Sequence, residues 1–132
     1  MATVIDGVYR LSLQGSEAYL TALGNTRVSL VPDKVDGQLW EIRQIEPGHH
    51  VVRLANGGQY LDFEGDPSPF TMLGLSGRPR VWEVGRGPED TVVIGVPDAD
   101  LTLGLSRLLI YPPLVGLSEA SPMDRSWVLE PA

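Results

Sequence analysis

Three tryptophans divide this 132-residue chain into nearly equal parts. They stand in "QLWEI" (Gln38 to Ile42), "RVWEV" (Arg80 to Val84) and "RSWVLEP" (Arg125 to Pro131), so the Trp-to-Trp steps are 42 and 45 residues. A large, costly side chain returning at such a period is the mark of an internal repeat. Whatever the chain folds into must place three equivalent units side by side.

The segments before each tryptophan repeat as well. "GVYRLSL" (Gly7 to Leu13), "HHVVRLA" (His49 to Ala55) and "TVVIGV" (Thr91 to Val96) open the units. The first alternates Tyr9, Leu11 and Leu13 with Arg10 and Ser12, the two-residue period of a half-buried strand. "AYLTAL", "QYLDFE" and "LTLGL" follow, then "RVSLVP", "TMLGLS" and "PLVGLS", and the Trp segment closes each unit. His50 stands where Tyr9 stands, ten residues before Tyr60 as Tyr9 is before Tyr19. Fifteen Gly and eleven Pro are spread over the whole length, which leaves short strands and no window of helical period. The segment "SEAYLTALG" reads as a turn followed by a strand.

Four strands in each of three units give twelve. Propellers need at least four blades. The remaining solution is all-β: a six-stranded barrel closed by three hairpins, the β-trefoil, as one domain with repeats at about 1–45, 46–87 and 88–132. In it the tryptophans are core residues at the repeat ends.

Composition excludes several functions. The net charge is -7, with one lysine and nine arginines in no run. Nucleic-acid binding, which needs a basic stripe, is not expected. No cysteine is present, so disulfides and thiolate metal sites are excluded. The apolar runs are too short to span a membrane. The start, "MATVIDGVYR", lacks the charged and apolar regions of a signal peptide. A cytoplasmic or non-classically released monomer is expected.

Catalytic signals are few. His49 and His50 are the only histidines and point to opposite faces of a strand. They form neither a chelating pair nor part of a triad, and no enzyme, metal or cofactor is expected. Asp62, Glu64 and Asp66 cluster in "YLDFEGDPSP", with alternation placing Asp62 and Glu64 on one face. A cation site or acid pair is one reading; a solvated face and turn is the other. Binding by loops on a rigid scaffold is left.

Three resemblances suggest what is bound. From "DGVYRL", "RVSLVP", "WEI" with "PGHHVVRL", "LIYPPLVGLSE" and "WVLEP", the chain resembles the mushroom β-trefoil serine protease inhibitors of the cospin type. That resemblance implies a trypsin-like serine protease as partner and a basic residue offered by an exposed loop. Asn25, Thr26, Arg27 and Val28 form the first candidate loop, with Arg27 entering the protease pocket from just before the strand. Arg125 and Arg107 are second choices. The alternative is carbohydrate binding. "QYLDFEGD" resembles the Asp-bearing stretch of ricin-type lectins, and "QLW" resembles their Q-x-W motif. This implies one glycan site at Asp62, with Phe70 as a stacking platform. "LQGSEAY" and "PDKVDGQ" resemble, more distantly, the Gly- and Pro-rich loops of clitocypin-like cysteine protease inhibitors.

Overall fold

The computed structural model describes residues 6–16, 18–23, 27–55, 58–68, 71–87, 89–105, 115–118 and 126–131. Twelve strands run through them: β1 (Gly7–Leu13), β2 (Tyr19–Leu23), β3 (Arg27–Val31), β4 (Trp40–Glu46), β5 (His49–Leu54), β6 (Tyr60–Asp62), β7 (Gly74–Ser76), β8 (Trp82–Arg86), β9 (Val92–Gly95), β10 (Thr102–Leu105), β11 (Val115–Ser118) and β12 (Ser126–Pro131). No helix occurs among the described residues.

Six strands close on themselves. β1 pairs with β4, β4 with β5, β5 with β8, β8 with β9, β9 with β12, and β12 returns to β1, all antiparallel. Closure leaves the barrel no free edge. The hairpins β2–β3, β6–β7 and β10–β11 cap it, each joined to the barrel by one pair: Ser12 with Tyr19, Arg53 with Tyr60, Gly95 with Thr102. Their registers superpose. Thr21 faces Ser29, Asp62 faces Gly74, and Gly104 faces Gly116.

The tryptophans hold this symmetry together. All three are fully buried. Each indole Nε1–H donates to a main-chain carbonyl in the hairpin of its own unit: Trp40 to Leu20 (3.0 Å), Trp82 to Leu61 (3.1 Å) and Trp127 to Leu103 (3.0 Å). The ring fills the barrel while its polar edge pins the cap, the buried use for which an indole is suited. Leu11, Val52 and Ile94, at matching places in β1, β5 and β9, are buried in the same core. Tyr9, His50 and Val92 pair across the ladder with Trp40, Trp82 and Trp127 respectively. The expected match of His50 with Tyr9 is therefore observed.

Tight turns carry the chain between strands. Gly37 lies at φ +85°, and a Cβ there would stand 2.7 Å from the Ala22 carbonyl oxygen. Only glycine brings the chain so close to β2 before Trp40. In the middle unit β7 is shorter than "TMLGLS" suggests. Met72 forms an isolated bridge with Gly116, Leu73 N–H donates to Val115 O, and Leu117 N–H donates to Thr71 O. These residues therefore tie the second hairpin to the third.

Candidate functional site

In the first two units the residue two places before the tryptophan meets the third residue of that unit's hairpin strand. In the first unit Gln38 is buried and its amide Nε2 donates to Thr21 Oγ1 (3.1 Å) and to the Asp33 carbonyl (2.7 Å). Its Oε1 accepts from Val35 N–H (3.1 Å). Every partner is internal, so this Q-x-W glutamine is a structural brace.

In the middle unit the same slot is charged. Arg80 takes the place of Gln38, and Asp62 that of Thr21. Asp62 Oδ1 accepts from Arg80 Nε and from Phe63 N–H (2.7 Å). Arg80 Nη2 donates to the Phe63 carbonyl (3.0 Å). The guanidinium carbon lies over the Phe63 ring, 4.1 Å from its centroid, and that ring meets Trp82 edge-on at 5.8 Å. Phe63 is 4% exposed, so it supports Arg80 and offers no face to a ligand. Asp62 and Arg80 are thus fixed from below by the core. Among the described residues no group engages Asp62 Oδ2 or Arg80 Nη1.

Asp62 separates two concavities. One groove of about 610 Å³ runs from Arg27 past Asp62 and Glu64 to Thr71 and Ser76. A second cleft of about 400 Å³ is lined by Asp62, Arg78 and Arg80 together with Val96 and Pro97. The third unit has Gly104 in the Asp62 position, with no side chain to offer. Of the three equivalent places, one carries a carboxylate, and its side chain is 15% exposed.

The other expected residues fall differently. Asn25, Thr26, Phe70, Arg107 and Arg125 lie outside the described residues. Arg27 is exposed, but it does not precede the strand: it is the first residue of β3, paired with Leu23. Val28 is buried at 2% exposure and faces the core. The pair Leu23–Arg27 leaves three residues, 24–26, as the whole connection. Arg27 is thereby committed through its main chain to a hairpin ladder. Asp62 and Glu64 do not share a strand face, because β6 ends at Asp62. They come together as neighbours along the first groove.

The histidines separate as expected. His50 is buried at 1% exposure, whereas His49 is part-exposed. His49 Nδ1 meets Glu46 Oε1 at 2.7 Å, and Nε2 lies 3.9 Å from Glu83 Oε2. The hydrogen bond to Glu46 raises the His49 pKa above 6.5, with the charges of Glu46, Glu83 and Asp98 adding to it and desolvation opposing. Among the described residues no three His, Asp or Glu side chains are placed to hold a metal ion.

No family model and no curated protein sequence matches the chain. Solved structures do. A ricin B-like lectin of Macrolepiota procera, in complex with lactose, superposes with a TM-score of 0.87 at 23% identity, over 99% of this chain and 100% of that one. ThreeFoil, a designed threefold-symmetric protein, gives 0.83 at 17% identity over 96% and 100%. SeviL, bound to the asialo-GM1 saccharide, gives 0.73 at 15% identity over 97% and 99%. The chain is a β-trefoil. At these identities the likeness establishes the architecture, and the ligand has to be argued from this trefoil's own side chains.

Proposed function

We propose that this trefoil binds carbohydrate, without turning it over, at a single site centred on Asp62. The observation that carries the reading is the Asp62 carboxylate: anchored through Oδ1, open at Oδ2, and set between two concavities. A carboxylate accepts several hydrogen bonds at once, so an anchored one can take two neighbouring hydroxyls of a sugar ring. The equivalent Thr21 is buried against Gln38 and the equivalent Gly104 has no side chain, which makes the site single. Two of the trefoils that superpose on the chain were solved with lactose and with the asialo-GM1 saccharide. Serine protease inhibition draws less support, since Arg27 is held in the β2–β3 ladder.

The test is calorimetry and a glycan array on the wild type, Asp62→Asn and Asp62→Ala. Hydrogen bonds to a charged group contribute about 1.5–3 kcal/mol. Asp62→Ala should therefore weaken binding by about ten- to a hundredfold, with the strand signature in circular dichroism unchanged. The asparagine keeps an acceptor for Phe63 and controls for local collapse. Full affinity in both variants would place the site elsewhere.

A further inference from the structure

Arg80 does more than replace a glutamine. A guanidinium has two hydrogen-bonding edges. The Nε–Nη2 edge of Arg80 is consumed by Asp62 and the Phe63 carbonyl, and one face is covered by the Phe63 ring. On the terminal edge Nη1 meets no acceptor among the described residues, and Nη2, which donates one hydrogen to the Phe63 carbonyl, carries a second. Two parallel N–H groups on a rigid plane match a carboxylate in a bidentate pair.

The surroundings favour an anion on that edge. Arg78 lines the same cleft, is exposed, and forms no ion pair with a described carboxylate. Asp62, Arg78 and Arg80 together bring the cleft to a formal charge of +1, in a protein whose net charge is -7. Pro79, Val81, Val96 and Pro97 make up the apolar part of the lining. Glu64 lines the groove and not this cleft, while Asp98 directly follows the cleft residue Pro97. Gln38, in the equivalent slot, has both ends of its amide engaged internally and offers nothing outward.

We infer that the Asp62 site takes a sugar acid, with a ring hydroxyl on Asp62 Oδ2 and the sugar's carboxylate on the terminal edge of Arg80, beside Arg78. The inference rests on the reading of Asp62 as a glycan site and names the class of glycan.

The experiment is calorimetry on the full chain with paired ligands: 3′-sialyllactose against lactose, and a glucuronyl-terminated disaccharide against its glucosyl counterpart. At least one acid should bind about tenfold or more tightly than its neutral parent. Its methyl ester should fall to the level of the parent, a comparison that uses the wild type alone and so survives any folding defect of a variant. Arg80→Gln should abolish the preference, so that the acid and its neutral parent bind alike. Equal binding of acid, ester and neutral sugar overturns the inference but leaves the Asp62 reading standing. So does a preference shared equally by 3′-sulfolactose, which would show that the site reads charge and not the planar carboxylate. If the wild type binds no sugar at all, the Asp62 reading itself is lost and the inference with it.

Discussion

The three tryptophans offer a direct test of the repeat, because the same chemical change can be made three times. Trp→Phe at 40, 82 or 127 keeps an aromatic ring but removes the indole N–H. The carbonyls of Leu20, Leu61 and Leu103 would each lose their indole donor in a buried place. A buried acceptor left without its partner costs about 1–3 kcal/mol. The phenyl ring is smaller by roughly 40 Å³, and at about 24 cal/mol per Å³ the residual cavity costs about 1 kcal/mol more. Each variant should therefore lose about 2–4 kcal/mol.

That loss is large enough to read clearly. Unfolding entropy of about 2.1 cal/mol/K per residue makes 1 kcal/mol worth about 3–4 °C in a chain of this size. The expected drop in Tm is thus about 7–14 °C. Urea denaturation should show a shifted midpoint with the slope unchanged, since the surface exposed on unfolding barely differs. Trp82 also meets Phe63, but phenylalanine at 82 keeps an aromatic neighbour there, so the three losses should agree within about 1 kcal/mol. One variant costing under about 1 kcal/mol beside another costing over about 4 would refute the argument that the three rings are equivalent.

Gly37→Ala should cost about 2–4 kcal/mol, because its Cβ would meet the Ala22 carbonyl at 2.7 Å. Gly48→Ala, also at positive φ but with open space around it, should cost only about 1 kcal/mol; urea melts compare the two. Proton NMR should place the His49 pKa above 6.5, and Glu46→Gln should bring it down. A raised folded-state pKa means that the stabilisation is complete below the unfolded value near 6.5. It is lost as pH rises through the folded value, and that loss should shrink in Glu46→Gln. Trypsin should not be inhibited by the wild type, because Arg27 is ladder-paired with Leu23. Stoichiometric inhibition abolished by Arg27→Ala would show that the hairpin opens.

Much of the fold was legible because its strands are short and alternate. Leu11 and Leu13 point inward from β1 as the pattern predicts, and the Trp spacing alone set the symmetry. What was not legible depended on tertiary pairing. "TMLGLS" has strand composition throughout, yet Met72 pairs with the third hairpin, which no local pattern encodes. Arg27 follows turn-forming residues and reads as a loop residue; the β2–β3 register claims it for the strand. Asp62 was found through a short motif resemblance. Arg80 carries no mark of its own in "RVW", where it stands in the place of the Q-x-W glutamine. Its spacing from Trp82 is the same as that of Gln38 from Trp40, and that offset was the signal available. Phe63, a core-facing ring beside a site residue, has no sequence mark of its own.

The slot two residues before each tryptophan also says what the fold itself requires. A neutral pair, Gln38 with Thr21, suffices in the first unit: it is buried and its hydrogen bonds are all internal. The trefoil therefore does not need an ion pair there. The Asp62–Arg80 pair is part-exposed, with side chains 15% and 37% accessible, and such pairs add about 1 kcal/mol or less to stability. Holding a long arginine in one rotamer also costs side-chain entropy. Phe63, which fixes the guanidinium, is a core residue that would pack as well under an aliphatic neighbour. Stability does not account for a charged pair in the place where an amide and a hydroxyl serve. The exchange replaces an internal brace by a part-exposed acceptor and donor that line concavities, as the proposed glycan site requires. Symmetry then makes the first unit an internal control, since Gln38→Arg with Thr21→Asp would transplant the same atoms onto a backbone that already holds their positions.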